Sequence, residues 1–137
     1  MVGPATPLED LSEKDWELQV IGTAGKPGLA RALGWRVYHT LRSRGSQPGY
    51  PDWTLVRERV MFLELKKEKG IVSPAQKEWL GALRDAGAEV YLVRPRHLQE
   101  IARVLAARPH SADGALSSVQ AIQSKLVLED ELEFEII

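Results

Sequence analysis

The sequence predicts a mixed α/β domain with elements in the order α-β-β-β-α-β-α, followed by a C-terminal extension. Three observations predict it. Short segments with strand-like patterning fill the centre of the chain, a clearly bounded helix beginning near Ser73 separates the third strand from the fourth, and a further helical segment follows the fourth strand. Taken in chain order, each element has its own local signals.

The N-terminal half begins with a helix and continues with three strands. The segment "SEKDWELQVIG" starts with Ser12 as N-cap, and Asp15 gives it a capping-box pattern. The glycines and proline of "GTAGKPG" end this helix, and "LARALGW" is a short second helical piece closed by Gly34. "WRVYHT" alternates as a strand, and "DWTLV" and "RVMFLELK" form a predicted hairpin around residues 57–59.

The C-terminal half of the domain holds the clearest helix, "SPAQKEWLGALRDAG". Ser73 caps it, Pro74 takes the first helical position, and Gly87 ends it. "AEVYLVRP" is a strand stopped by Pro95, and "HLQEIARVLAARP" is the last helix of the core. We expect a flexible arm at residues 1–11, one domain over 12–108, and an extension over 109–137.

Composition excludes several classes of protein. The chain has 137 residues, 44% hydrophobic and 27% charged, which is typical of one globular domain. It has no cysteine, which excludes disulfides, thiolate metal sites and cysteine nucleophiles. No signal peptide is evident, and no apolar run approaches the roughly 18 residues of a membrane helix. An intracellular protein with no membrane partner and no organic cofactor is expected.

Charge is distributed unevenly although the formal net charge is only −1. Nine basic and four acidic residues lie between Arg31 and Lys69, whereas the last nine residues hold five acids and no base. The basic excess fits either a polyanion-binding surface or a solvated one. The ending "LVLEDELEFEII" alternates as an amphipathic strand. It is interpreted as an oligomerisation strand at a sheet edge or an acidic tail over a basic groove.

A constellation of charged residues surrounds the predicted hairpin. Glu64 and Lys66 are two apart on a strand and project to one face, while Leu65 faces the core. Asp52 precedes the neighbouring strand. A three-residue loop at 57–59 places Asp52 opposite Glu64, whereas a two-residue loop places it opposite Leu65 and away from the site.

Two carboxylates on one face need a positive partner, because close carboxylates raise one another's pKa. Mg²⁺ or Mn²⁺ with oxygen ligands supplies that charge, with Asp52, Glu64 and the backbone carbonyl of Leu65 as candidate ligands. Lys66 is then a candidate for holding the attacking water. The alternative is a surface hairpin with an incidental Glu-Lys pair and ordinary Pro-Asp turn chemistry.

The arrangement resembles the PD-(D/E)XK nucleases, with Pro51-Asp52 and Glu64-Leu65-Lys66 as the two motif halves. It is most similar to the VRR-NUC branch, through "SEKDWELQV", "GWRVYHT", "GYPDWTLV", "FLELKKEKGIVSPAQKEWL" and "AGAEVYLVRP". The resemblance implies a restriction-endonuclease-like core, in which a central mixed sheet is flanked by helices. It also implies metal-dependent DNA cleavage, often of branched or flapped DNA. The small stand-alone phage and bacterial members are likened to homodimeric Holliday-junction resolvases.

The resemblance assigns roles residue by residue. It makes Asp52 and Glu64 metal-binding acids, Lys66 the catalytic lysine, and Gln76 the glutamine of the next helix, although Ser73-x-x-Gln76 is also a capping box. The family places an acid and a glutamine of the first helix near the metal. The candidates here are Glu13, Glu17 and Gln19. Of these, Glu13 is a candidate for the metal or its water shell, and Gln19 is also a candidate for DNA contact.

Basic residues near the motif are candidates for DNA contact, namely His39, Arg42, Arg44, Lys67 and Lys69. For His39, a partly buried strand histidine is the alternative. The leading hypothesis is therefore a Mg²⁺- or Mn²⁺-dependent DNA endonuclease. The alternatives are a non-catalytic nucleic-acid-binding or scaffold subunit that keeps the nuclease fold, and a small structural protein with solubilising basic loops.

Overall fold

A computed structural model describes residues 6–41 and 47–108 and confirms the predicted mixed α/β architecture. The secondary-structure elements follow in the predicted order. They are the helices α1 (Glu13–Val20) and α2 (Leu29–Ala32), the strands β1 (Arg36–His39), β2 (Trp53–Val56) and β3 (Val60–Leu65), then α3 (Pro74–Asp85), β4 (Glu89–Val93) and α4 (Leu98–Ala106), with single 3-10 turns at Leu8–Asp10 and Pro95–His97.

The four strands form one mixed sheet in the order β1-β2-β3-β4. The first three strands pair antiparallel, and β4 pairs parallel to β3 because α3 carries the chain back across the sheet. Val56 pairs with Val60, so a three-residue loop, Arg57–Arg59, joins β2 to β3. Of the two loop lengths considered from the sequence, this is the three-residue loop, whose register places Asp52 opposite Glu64.

Helices cover the two faces of the sheet unequally. The face that carries Leu55, Leu63 and Leu65 packs against α1, α2 and α4 and forms the main core. On the other face, α3 packs through Leu80 on the β4 side in a smaller core. That second cluster consists of Val72, Leu80, Val90 and Leu92, with Phe62 and Leu83 packed against it.

Local signals of the sequence set the helix ends. The hydroxyl of Ser12 accepts a hydrogen bond from the Asp15 amide at 3.0 Å, as the N-cap prediction requires. Ser73 and Gln76 form a complete capping box at α3. After α1, the segment "GTAGKPG" folds back on itself through a bridge between Gly22 and Pro27. The helix itself is held in place, because the Trp16 indole donates to the Val93 carbonyl at 3.0 Å.

Three of the predicted segments fall wholly or partly outside the described residues. Of the predicted N-terminal arm, residues 6–11 are described, and Leu11 is buried in the main core. The extension 109–137 and the two loop arginines Arg42 and Arg44 lie outside the described residues. None of the described helices has the length and apolar character needed to cross a membrane.

Candidate active site

The end of the β2–β3 hairpin opposite its turn brings Asp52 and Glu64 together. Glu64 is fully buried and Asp52 is 6% exposed. The backbone around Asp52 is fixed to the chain beyond β1, because the Thr40 amide donates to the Asp52 carbonyl at 2.8 Å and the Thr40 hydroxyl donates to the Pro51 carbonyl at 2.8 Å. The sheet thus holds both carboxyl groups in one place.

The electrostatic state of Glu64 reflects this crowding. Burial, together with the charge and hydrogen bond of the Asp52 carboxyl group, raises the pKa of Glu64 to about 9, and Lys66 only partly opposes the shift. Within the described part of the chain, Oε1 of Glu64 is buried and has no hydrogen-bond partner. A buried carboxylate oxygen without a partner is costly, so the site has an unfilled need for positive charge or a donor.

Lys66 lies two residues beyond Glu64 and projects to the same face. It is 9% exposed, and its backbone amide donates to the Val93 carbonyl at 3.1 Å, which continues the pairing between β3 and β4. The side chain of Leu65 lies in the main core between these two residues, as predicted. The strand therefore presents a carboxylate and an amine side by side while its intervening apolar side chain anchors it.

Gln76 joins α3 to the site and also caps the helix. Its side-chain amide donates to Glu64 Oε2 at 3.3 Å, while its Oε1 accepts from the Ser73 amide at 2.9 Å. The two interpretations of Gln76 from the sequence are thus compatible in one side chain. Because the amide oxygen is held by the cap, the amide nitrogen is directed at the Glu64 carboxylate.

The first helix contributes two of its three candidate residues, the acids Glu13 and Glu17, to the surroundings of the site. Glu13 lies near enough to Glu64 to raise its pKa. Partial burial raises the pKa of Glu17, as do the nearby Glu13 and Asp52. Gln19 instead lies exposed on α1. Among residues 6–41 and 47–108, no three acidic or histidine side chains group closely enough to hold one metal ion by themselves.

The predicted DNA-contacting residues lie in different surroundings. His39 is exposed and stacks on Trp53 with ring centroids 4.2 Å apart, on the sheet face opposite Glu64. Lys67 and Lys69 are exposed just beyond Lys66. Two other basic residues of the counted excess, Arg57 and Arg59, are instead bound to backbone carbonyl groups far from the site.

Arg94 holds the loop that follows Lys66, a role the sequence interpretation missed. This arginine is 2% exposed, and its guanidinium donates to the carbonyls of Lys67 at 2.7 Å, Glu68 at 3.1 Å and Gly70 at 2.9 Å. The signal was present in "YLVRP", where an arginine follows an apolar strand directly, as Lys66 does at the end of β3. The residue that follows β4, Arg94, therefore fixes the loop that continues from Lys66 at the end of the adjacent parallel strand β3.

Gly49 brings the loop before Asp52 against the start of α3. Its φ is +90°, and a Cβ built there would lie 2.4 Å from the carbonyl carbon of Ala75 and 2.7 Å from the Gln76 nitrogen. Only glycine fits a backbone conformation and a contact of this kind. Two segments that carry site residues are thus in direct backbone contact.

A four-stranded mixed sheet with flanking helices, and an Asp and a Glu-x-Lys meeting at the end of its central hairpin, define a nuclease domain of the PD-(D/E)XK type. Residues 26–97, more than half of the chain, match the family model of the VRR-NUC domain, and the chain belongs to this family. No curated protein and no solved structure is a significant match. The family supports a nuclease function and implies DNA as the substrate.

Proposed function

We propose that this chain is a Mg²⁺- or Mn²⁺-dependent endonuclease that hydrolyses phosphodiester bonds in DNA, with a preference for branched substrates such as Holliday junctions or flaps. The observation that carries the proposal is the buried pair of carboxyl groups, Asp52 and Glu64, beside the amine of Lys66. A purely structural ion pair would match opposite charges. Here two carboxyl groups lie together, and the charge of Lys66 only partly offsets their mutual repulsion.

A divalent cation fits the residues at this site. The oxygen of Glu64 without a hydrogen-bond partner and the raised pKa of that residue are both relieved by a cation between the carboxylates. Asp52 and Glu64 would hold it, with the Leu65 carbonyl as a further ligand. Two carboxylates with water and phosphate oxygens are the usual Mg²⁺ environment in proteins. Glu13, whose charge also raises the pKa of Glu64, would act on the same ion through a water molecule.

The bound cation would supply Lewis-acid polarisation of the scissile phosphodiester. The side chain of Lys66 would hold the attacking water and offset the negative charge that develops on the phosphate, and the proton of that water would pass to solvent as the new bond to phosphorus forms. The P–O bond to the leaving oxygen breaks, and that oxygen takes a proton from solvent, which yields a phosphate monoester and a hydroxyl group. Gln76 would keep the Glu64 carboxylate in its orientation, and the exposed Lys67 and Lys69 would contact the DNA backbone.

The preference for branched DNA and the homodimeric state are further parts of the proposal. They rest on the resemblance to the small stand-alone members of the branch. Cutting two strands of a junction requires two sites at a set separation, which a symmetric pair of subunits provides. An intracellular location agrees with a DNA substrate and with the lack of cysteine.

The test is cleavage of labelled four-way junction, flap and duplex DNA in the presence of Mg²⁺, Mn²⁺ or EDTA. Replacement of Lys66 by Ala is expected to lower the cleavage rate by about 10²- to 10³-fold, the usual effect of removing one positioned donor to developing negative charge. Lys14→Ala, which removes an exposed lysine of α1, is the matched control and is expected to cut at the wild-type rate.

Three outcomes separate the possibilities. Cutting by Lys66→Ala at the wild-type rate would remove this residue from the mechanism. Cutting that survives EDTA would contradict the dependence on metal. A wild-type chain that binds DNA in a salt-dependent way but cuts none of the three substrates would establish the alternative, a non-catalytic nucleic-acid-binding or scaffold subunit.

A further inference from the structure

One half of the sheet face that bears the candidate site is left uncovered by the described helices. Strand pairing aligns Tyr38 with Thr54, and Thr54 with Phe62. Because directly paired residues of antiparallel strands point to the same face, these side chains lie on the face that also bears Asp52 and Glu64. Tyr38 is therefore on the side of the active site, and its neighbour His39 is on the opposite side.

Exposure differs sharply between the two halves of this face. On the β3–β4 half, α3 packs over Phe62 and its neighbours. On the β1–β2 half, Tyr38 is 65% exposed and Val56 is 38% exposed. Tyr38 is the most exposed aromatic side chain of the described residues. An aromatic ring this exposed, on the same sheet face as the candidate site, offers its face to a ligand.

The ring stands close to the candidate site. Asp52 precedes Thr54, the partner of Tyr38, by two residues, which corresponds to about 6.6–6.8 Å along a strand. One pairing step further from the site, Arg36 aligns with Val56 and is exposed on the same face. An aromatic ring and a guanidinium group thus follow one another along β1, away from the carboxylates.

We infer that Tyr38 is a stacking platform for an unpaired base of the DNA next to the cleaved phosphodiester, with Arg36 contacting a phosphate beyond it. The inference rests on the proposed function and narrows its substrate to DNA that offers unstacked bases, such as a flap or the branch point of a junction. An aromatic ring accepts any base with an open π-face, and such stacking tolerates all sequences. A base inside a duplex is already stacked on both sides and has no face for the ring.

Two features of the molecule favour DNA over another occupant of this surface. The patch adjoins the candidate active site on the same sheet face, so a DNA strand bound at Asp52 and Glu64 can extend over it. The only charged side chain that β1 contributes to this face is Arg36, and its positive charge suits contact with a phosphate.

The experiment measures binding and uses the full chain. Fluorescence anisotropy of labelled single-stranded, flap and plain duplex DNA is recorded with Ca²⁺ in place of Mg²⁺. Tyr38→Ala is expected to bind the single-stranded and flap DNA about 5- to 100-fold more weakly, the range known for base stacking on aromatic side chains. Its affinity for plain duplex is expected to stay within about twofold. Tyr38→Phe keeps the ring and is expected to bind like the wild type.

Matched variants and a second readout complete the design. Leu18→Ala, which shortens another exposed apolar side chain on α1, is expected to change no affinity. Arg36→Ala is expected to weaken binding to all three DNAs and to lower the slope of log K against log salt by about 1. In cleavage of the flap, Tyr38→Ala is expected to raise KM while kcat stays near the wild-type value.

The outcomes distinguish the inference from the proposed function. Equal affinity of wild type and Tyr38→Ala for single-stranded DNA would overturn the platform, as would an equal loss on duplex and single strands. Wild-type chain that binds these DNAs through Tyr38 but cuts none would overturn the catalytic proposal alone. Cleavage lost by Lys66→Ala with affinity unchanged by Tyr38→Ala would overturn the platform alone.

Discussion

Charged side chains are paired with partners at the turn of the β2–β3 hairpin, whereas like charges are brought together at its other end. At the turn, Arg57 and Arg59 donate to four backbone carbonyl groups, which belong to Leu33, Val104, Leu105 and Ala107. Both guanidinium groups also lie over the Trp35 ring, at 4.5 and 5.1 Å, and pair with Glu58 and Glu89. At the other end, two carboxyl groups meet with one amine and an unsatisfied oxygen.

The difference separates residues that stabilise the fold from residues that are held for chemistry. The turn arginines satisfy the carbonyl groups at the C-terminal end of α4, where a positive charge is also favoured by the helix dipole. The two buried carboxyl groups lie together with one amine, and this arrangement costs stability when Glu64 is ionised, as is common at sites of binding and catalysis. A count of charged residues at the two ends of the hairpin would therefore not reveal their opposite roles.

The largest expected effect concerns the pH dependence of stability at the acidic end. The pKa of Glu64 is raised from 4.5 to about 9 in the folded chain, so its neutral form stabilises the fold. This contribution is complete below pH 4.5 and is lost as pH rises toward 9. Without metal, the free energy of unfolding is expected to fall between pH 5 and 8 by at most about 1.4 kcal/mol per pH unit. Glu64→Gln is expected to remove this slope.

The measurement is urea unfolding in EDTA at pH 5, 6.5 and 8. Glu78→Gln, at an exposed position of α3, is the control and is expected to keep the wild-type slope. Added Mg²⁺ is expected to stabilise the wild type most at pH 8, where the carboxylate is most readily ionised, and to leave Glu64→Gln nearly unaffected. Parallel stability curves for wild type and Glu64→Gln would contradict the assignment of this slope to Glu64.

The second effect belongs to the turn. Arg57→Ala is expected to lower the free energy of unfolding by about 2–4 kcal/mol, because it leaves the carbonyls of Leu33 and Leu105 without this donor and removes the packing on Trp35. Urea unfolding at pH 7 measures it. At temperatures where the variant stays folded, the rate of DNA cleavage is expected to remain within about threefold of the wild-type rate.

The control for the turn is Arg84→Ala, since Arg84 pairs with the adjacent Asp85 on the surface of α3. A loss within about 0.5 kcal/mol is expected for it. If Arg57→Ala abolished cleavage by folded protein, the turn would share in function and the contrast between the two ends would be lost.

The smallest effect sharpens the comparison within the acidic end. Ser73→Ala removes the hydroxyl that accepts from the Gln76 amide, a loss of about 1 kcal/mol in the free energy of unfolding. The bond from the Ser73 amide to the Gln76 side chain remains possible, so Gln76 is expected to keep its contact with Glu64 and cleavage to fall only a few-fold. Ser12→Ala, at the other capped helix, is expected to cost similar stability without changing cleavage. A loss of cleavage equal to that of Lys66→Ala would show that the Ser73 hydroxyl, and not its backbone amide alone, is needed to orient Gln76.

Much of the fold was predictable because its signals are local. Serine caps, glycine stops and strand alternation are each read within a few residues, and the observed elements follow them. The pairing of Asp52 with Glu64 was predictable only as a choice between two loop lengths. The turn arginines resolve that choice, since Arg57 and Arg59 both reach the end of α4 from a three-residue loop.

What could not be predicted depends on contacts between distant segments. The role of Arg94 requires the loop after Lys66 to approach the end of β4, whereas the local pattern shows only that an arginine directly follows an apolar strand. The charge pattern alone included Arg57 and Arg59 in the basic excess around the motif, because a count of charges does not show where in the fold a residue lies. Tyr38 was missed for the same reason, since its exposure depends on where α3 ends its cover of the sheet.

The glycine at position 49 has a consequence for how the site can move. Because backbone touches backbone there, with no side chain between to bend or rotate, the strand entry that leads to Asp52 and the first turn of α3 cannot slide independently. Opening or closing of the candidate active site would have to move both segments together. Adjustment to differently shaped DNA is then left to the segments on either side of these two.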